Sequence, residues 1–445
     1  MLYQRIKKAI NRGNVFSYLV QGAVFWVLFF CVNISLFPKL FKQVNMILIF
    51  GCTAISAVWI VADILHRKVR LSTAVKINPF FLSLVLYEVY AAAQLLCFST
   101  NENYSFASIL FLYLFCPASL LCFYALAERK TKLFSDRLLL LYVIICCIIS
   151  VLAICEFFTG EYILSFRDTE IAMRSVRKEN QFHFLRASVF SASYLHLGDY
   201  LCIGVVVSLY QIIVKKRYLM IIPAALSGVG ILVTLTRASY VICGFVALAT
   251  IMMLIRMNGT PDKKAVIIGI AAAFLAIVAT WCLLDENMKL LLIRRFQSIF
   301  DWSPNSSGNG GRVRRWKFFE GIWTESSKNL LLGIGISNAA YGNAFGNVTE
   351  SGLLENLVEL GLFGSLFYYG VLLYPSFLFL KEKKTEQGIL IFCCLLIFLL
   401  HDLIYQIGIS VDGRIITWLL NGLLLCEVQT KREEKPGLLY GQRAD

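Results

Sequence analysis

The chain has 445 residues, 58% of them hydrophobic and only 16% charged, with a mean hydropathy of +0.70. A soluble chain of this length cannot hide so much apolar surface, and its repeated apolar runs match the roughly 20 residues needed to span a bilayer. The formal charge of +14 does not signal nucleic acid, because most Lys and Arg lie in short connections between apolar runs, where topology alone accounts for them. Strand-type alternation is absent, which argues against a membrane barrel. The 14 cysteines fall almost entirely inside apolar runs, as at Cys146-Cys147 and Cys393-Cys394. That placement argues against a disulfide framework or a zinc site and suits small buried apolar residues.

In chain order, the basic start MLYQRIKKAINRG leads into apolar runs at about 15–37, 44–65, 79–98, 107–127 and 138–158. The first run is too long for a cleavable signal peptide and reads as a retained span. Arg67, Lys68, Arg70 and Lys76 follow the second run, and Arg129, Lys130, Lys132 and Arg137 follow the fourth, while the connection 99–106 carries no basic residue. This alternation places the N-terminus in the cytoplasm. Further runs lie at about 192–213, 218–235, 239–256, 265–284, 351–380, 387–408 and 414–428. The expectation is an all-α polytopic membrane protein of about twelve transmembrane helices with both termini cytoplasmic. Three parts follow from it: helices and a first outside loop in 1–190, a core in 191–380 that includes a large outside loop at 285–350, and terminal helices with a polar tail in 381–445.

The two long outside loops, 160–190 and 285–350, are rich in arginine against the positive-inside bias. Surface charge balanced by nearby acids is one reading, and an anionic substrate on the outer face is the other. Arg237, in the segment LTRASYVICGF, sits at the outer end of one span with the next following at once. An arginine there either snorkels to headgroups or is a fixed cation. The segment GGRVRRWKFFEGIW reads as an amphipathic helix start. Arg312 and Arg315, three apart, share a face, as do Trp316, Phe319 and Trp323 at i, i+3 and i+7, and the glycines Gly310 and Gly311 allow close backbone approach. A cationic fork at a helix N-terminus suits a diphosphate, whereas an interfacial helix on the membrane surface accounts for the same pattern. The Gly-x-Gly of LLLGIGISNAAYG lacks the context of a nucleotide motif and reads as a tight turn re-entering the membrane. Glu350 falls at the start of the following span, as a cap or a functional carboxylate, and Glu355 and Glu359 lie deeper on one face. His196 with Asp199, His401-Asp402 and Glu88 are further polar residues within spans, where ionisable groups are paired or functional.

The Thr-Arg-Ala-Ser turn at Arg237, GGRVRRW with Arg312 four residues before Trp316, LLGIGISN, and ESGLLENLVELGLFG together resemble the O-antigen ligase and polymerase superfamily of bacterial membrane proteins, over roughly residues 190–370. The resemblance implies a GT-C-like helical bundle in the bacterial cytoplasmic (inner) membrane. It implies action on undecaprenyl-diphosphate-linked oligosaccharides at the outer face, without metal, cofactor or nucleotide sugar. Arg237 and Arg312 would hold the donor diphosphate and Glu350 would serve the acceptor hydroxyl. Arg314, Arg315 and Trp316 would line the substrate site, and Arg186 would help to bind the acceptor chain. Ligases of the superfamily carry a His-Asn pair where this chain reads Glu350-Ser351, which favours the polymerase branch. A chain-length regulator and a flippase are the partners this implies, with a ligase as the nearest alternative and a lipid-linked glycan transporter as the alternative of another class.

Overall fold

The computed structural model describes residues 79–98, 106–117, 136–161, 186, 187, 189, 194–258, 278, 281, 282, 284–305, 309–339, 345–382, 384–404 and 411–433. Among these the regular structure is all helical. In chain order the helices are α1 (Pro79–Cys97), α2 (Phe106–Leu110, continued by a π turn at Phe111–Phe115), α3 (Asp136–Thr159), α4 (Tyr194–Ile213), α5 (Ile221–Val233) and α6 (Arg237–Asn258). They are followed by α7 (Glu286–Phe300), α8 (Gly310–Thr324), α9 (Ser327–Leu332), α10 (Gly352–Lys381), α11 (Glu386–Ile404) and α12 (Val411–Glu433).

Five of the described helices, α3, α4, α6, α10 and α11, are long and apolar enough to cross a membrane, and shorter apolar helices occupy Leu82–Cys97, Tyr218–Val233 and Ile416–Val428. The expected spans from 79–98 onward therefore coincide with helices wherever they fall on described residues. Those at 15–37 and 44–65 lie outside the described residues, as do the first outside loop up to residue 185 and most of 265–284. Two helices form the hubs of the packing. α4 is buried on nearly every side against α3, α5, α6 and α11, and α10 packs on α1, α8, α9 and α12. α11 joins the two groups through α4, α6, α10 and α12.

The region 285–350, expected as a long outside loop, is largely helical where it is described. Its described part folds into α7, α8 and α9. α7 begins at Asp285, whose Oδ1 accepts from Met288 N at 2.6 Å, a side-chain cap that satisfies an otherwise orphan helix donor. Met288, Leu291 and Leu292 form its buried stripe. Lys289, Arg294 and Arg295 interrupt the apolar run without disturbing that 3.6-residue period, so a hydropathy reading misses the helix while a periodic one detects it.

α10 is broken at Gly361, where φ is 65° and ψ −172°. The break releases backbone carbonyls, and the turn after α9 takes them: Ile334 N donates to Val358 O (2.9 Å) and Gly335 N to Glu359 O (3.1 Å). The Tyr90 hydroxyl of α1 donates to Leu360 O at 2.7 Å. The expected tight turn at LLGIGISN is thus present, docked backbone to backbone on the long helix. Gly333, with φ 80°, and Gly361 face each other so closely that a Cβ on either would collide with the other strand's backbone. Gly361→Ala is expected to lower stability by about 1–3 kcal/mol, the usual cost of a forced backbone conformation. Gly311→Ala, where a Cβ meets open space inside a helix, should be neutral or slightly stabilising. Thermal unfolding of the detergent-solubilised protein distinguishes the two.

Candidate active site

The chain places five sequence-predicted residues around one spot: Arg186, Arg237, Arg312, Arg315 and Glu350. α8 supplies two of them. Its N-cap Asn309 makes no capping bond through its side chain and instead donates from Nδ2 to Ser298 O at 2.9 Å, tying the start of α8 to the end of α7. Gly310 is needed here because a Cβ would lie 2.6 Å from Pro304 O and 2.9 Å from Ser303 O. Its small size serves the chain's own loop rather than a ligand, and Gly311 faces open space. One turn into the helix, Arg312 and Arg315 project together. Arg312 Nε donates to Glu350 Oε2 at 3.1 Å, and Arg315 Nη1 pairs with Glu350 Oε1. Each carboxylate oxygen therefore has its own guanidinium. The side chains of Arg312 and Glu350 are 18% and 24% exposed, so this is a partly desolvated, charge-assisted pair and stronger than a surface bridge.

Glu350 stands just before Ser351, whose Oγ accepts from Leu354 N at 3.4 Å as the N-cap of α10. Its backbone has φ 49°, a left-handed conformation that costs a non-glycine residue of order 1–3 kcal/mol. The sequence expectation made Glu350 a cap or a functional group. The cap is Ser351, and the Glu350 side chain turns to α8.

Arg237 opens α6, as the sequence placed it. Its guanidinium is engaged within the protein. Nη1 donates to Ser298 O (3.1 Å) and to Ser298 Oγ (3.0 Å), and the latter hydroxyl donates onward to Arg295 O at 2.8 Å. The Ser298 carbonyl thus receives both Arg237 and Asn309, which brings the start of α6 to the start of α8. Arg312, Arg186 and Glu350 all act on the Arg237 guanidinium electrostatically. Burial makes the charge on Arg295 in α7 less favourable and lowers its pKa.

Arg186, expected to help to bind the acceptor chain, makes contacts within the chain itself. Nη2 donates to Leu235 O at 3.0 Å, Nε lies 3.4 Å from Thr234 O, and the guanidinium stacks over the Tyr194 ring at 3.5 Å. It braces the turn between α5 and α6 that presents Arg237. Arg314 points away from Glu350 and donates to Pro304 O at 2.9 Å. Trp316 lies against Trp302 with ring centroids 5.6 Å apart and the rings tilted by 33°, and its indole Nε1 is buried with no partner among the described residues. Phe319 is fully buried with Ala339 and Val358, with Trp323 packed alongside, while Trp316 lies beside Trp302.

The carboxylates further along α10 are paired. Glu359 accepts from Tyr113 Oη (2.6 Å) and Ala339 N (3.0 Å), and Glu355 lies 3.9 Å from Arg414 of α12. Asp199 of α4 meets His401 Nδ1 of α11 at 2.6 and 2.8 Å. His196, three residues before Asp199, is half-buried and engaged elsewhere. Glu88 Oε1 is buried with no partner among the described residues. Sequence reasoning missed Ser298, Asn309 and Trp302. Asn immediately before a Gly-Gly helix start was the available signal for Asn309. Ser298 does its work mainly through a main-chain carbonyl, which no side-chain pattern records.

The pair at the centre of the site should be energetically coupled. A double-mutant cycle of Arg312→Ala and Glu350→Ala, read by thermal unfolding, is expected to give an interaction of about 1–2 kcal/mol. Pairing Arg314→Ala with Glu350→Ala should give none.

Comparison of the sequence with protein-family models and with curated proteins finds no match.

Proposed function

We propose that this chain is a membrane glycosyltransferase that polymerises lipid-linked polysaccharide repeat units at the outer face of the bacterial cytoplasmic membrane. The observation that carries the reading is the Glu350 carboxylate held between Arg312 and Arg315, with Arg237 drawn to the same place through Ser298. Guanidiniums in that number around one carboxylate leave a positive excess beside a helix N-terminus, which suits an anion of two phosphates. The resemblance of the TRAS, GGRVRRW, LLGIGISN and ESGLLENLVELGLFG segments to O-antigen polymerases supplies the substrate class, a glycan on undecaprenyl diphosphate.

In this reading Glu350 occupies the free site as the substrate's electrostatic stand-in. An arriving diphosphate takes over Arg312 and Arg315, which releases the carboxylate toward the acceptor. Glu350 then accepts the proton of an acceptor sugar hydroxyl while the oxygen of that hydroxyl bonds to the anomeric carbon. The bond from the anomeric carbon to the phosphate oxygen breaks, and polyprenyl diphosphate leaves with the electron pair, its charge met by Arg237, Arg312 and Arg315. A single in-line displacement inverts the anomeric centre. Trp302 and Trp316 offer a flat apolar surface beside the cations for a sugar ring. A chain-length regulator and the flippase that delivers the donor are the partners this activity requires.

A transporter of the same lipid-linked glycan is the second reading. It is favoured by the ionisable groups inside the bundle, Asp199, Glu355, Glu359, His401, Asp402 and Arg414.

In a deletion strain complemented with Arg237→Ala, Arg312→Ala or Glu350→Ala at wild-type membrane level, the surface-polysaccharide ladder should collapse to single repeat units. Full-length polymer stranded on its lipid carrier would mean a ligase, and a normal ladder in all three would return the transporter reading to the front. Farnesyl diphosphate, used as a soluble probe, should bind the purified Glu350→Gln protein several-fold more tightly than wild type, because the stand-in carboxylate is gone. The same probe should bind Arg312→Ala at least tenfold more weakly, a difference of about 1.4 kcal/mol.

A further inference from the structure

The first turn of α10 is anchored from within the bundle, and Glu350 stands immediately ahead of it. Four contacts fix that turn. Ser351 Oγ donates to Leu403 O at the end of α11 (3.0 Å). Gly352 lies so close to the Asp402 carboxylate that a Cβ would collide with it. Asn356 Nδ2 donates to the Tyr369 hydroxyl (3.0 Å), which in turn donates to Asp402 Oδ2 (3.2 Å). Glu355, 1% exposed, lies 3.9 Å from Arg414 Nη2, and Arg414, 5% exposed, also stacks on the Tyr113 ring at 4.4 Å. Arg414 Nη1 is buried without a partner among the described residues, beside a cavity of about 10 Å³ lined by Tyr368, Leu372, Phe398, Leu399, Asp402, Arg414 and Thr417, room for about one water.

This arrangement is more than stability requires. A buried ion pair adds little stability over apolar residues of similar volume, and Arg414 keeps a donor that meets no partner among the described residues. The left-handed backbone of Glu350 persists only if its surroundings over-determine it. The anchored turn lies on one side of it. On the other side Phe345 packs against Phe318 and Phe319, and buried Thr349 donates its hydroxyl to Ser351 O at 3.1 Å, so Glu350 is held from both directions. We infer that the buried Arg414–Glu355 pair, seated beside Asp402, is a positioning element that holds the start of α10 so that the Glu350 carboxylate stays between Arg312 and Arg315. The inference rests on the glycosyl-transfer reading of Glu350 and adds residues deep in the bundle to it. Arg414 touches no substrate. It acts through the helix end.

The test replaces the pair together, Glu355→Leu with Arg414→Met, because removing one partner alone leaves a buried uncompensated charge that can unfold the protein. Three quantities are read on the full chain: the melting temperature in detergent, the affinity for farnesyl diphosphate, and the polysaccharide ladder in the deletion strain at matched membrane level. The expected result is a melting temperature at or above wild type, probe affinity equal to or tighter than wild type, and at least a tenfold loss of polymer. Arg414→Lys, which keeps the charge, should recover part of that polymer. A double variant with a normal ladder overturns the inference, as does one whose melting temperature, probe affinity and polymer fall together, which marks the pair as purely structural. Glu350→Ala run alongside separates the two levels: if it leaves the ladder normal, the glycosyl-transfer reading fails, and the positioning role with it. If it abolishes the ladder while the double variant does not, only the positioning role fails.

Discussion

Charge withdrawn from water must be met by charge or dipole, and this requirement organises the bundle. An unpaired ion in a low-dielectric interior is too costly to persist. Among the described residues, inward ionisable groups of α4, α10, α11 and α12 are accordingly tied to other parts of the bundle: Asp199 to His401, Glu355 to Arg414, Glu359 to Tyr113 and Ala339, and Asp402 to Tyr369. These ties join the two packing hubs, so the polar residues do for register what the apolar ones cannot. Leucine and isoleucine faces slide with little penalty, whereas a carboxylate has to find its partner.

The same rule explains why the cationic residues near the start of α6 and α8 gather rather than spread. Arg237 finds a carbonyl and a hydroxyl of Ser298, Arg186 finds the carbonyls of Thr234 and Leu235, and Arg312 and Arg315 divide one carboxylate between them. Among the described residues, three of the five non-glycine positions with positive φ, Val189, Leu235 and Glu350, lie at or within three residues of Arg186, Arg237 or Glu350, while Lys216 and Ser337 lie elsewhere.

Much of this was legible in the sequence. Apolar length and the spacing of basic turns delineate α3, α4, α6, α10 and α11, and the three-residue spacing of Arg312 and Arg315 places them side by side. Other features were hidden for physical reasons. α7 has too many charges for a hydropathy window, yet keeps a helical stripe. The contribution of Ser298 runs largely through its main chain. That Arg186 supports the turn that carries Arg237 was hidden as well, because spacing along the chain says nothing about which carbonyls a guanidinium will meet. Arg414 is hidden for a further reason: one arginine near the end of an apolar run looks like any interfacial anchor until its carboxylate partner, 59 residues earlier, is brought beside it.

The docking of Gly333 and Gly361 links two regions through main-chain bonds, beside the side-chain contacts of Glu359 with Ala339 and of Phe319 with Val358. Side-chain contacts can loosen one at a time, but two backbone bonds, Ile334 N to Val358 O and Gly335 N to Glu359 O, close together or not at all. The polar segment of α8 and α9 and the first turns of α10 therefore belong to a single cooperative opening unit. The amides of Ile334 and Gly335 report its opening free energy in hydrogen exchange, although they lie outside any helix.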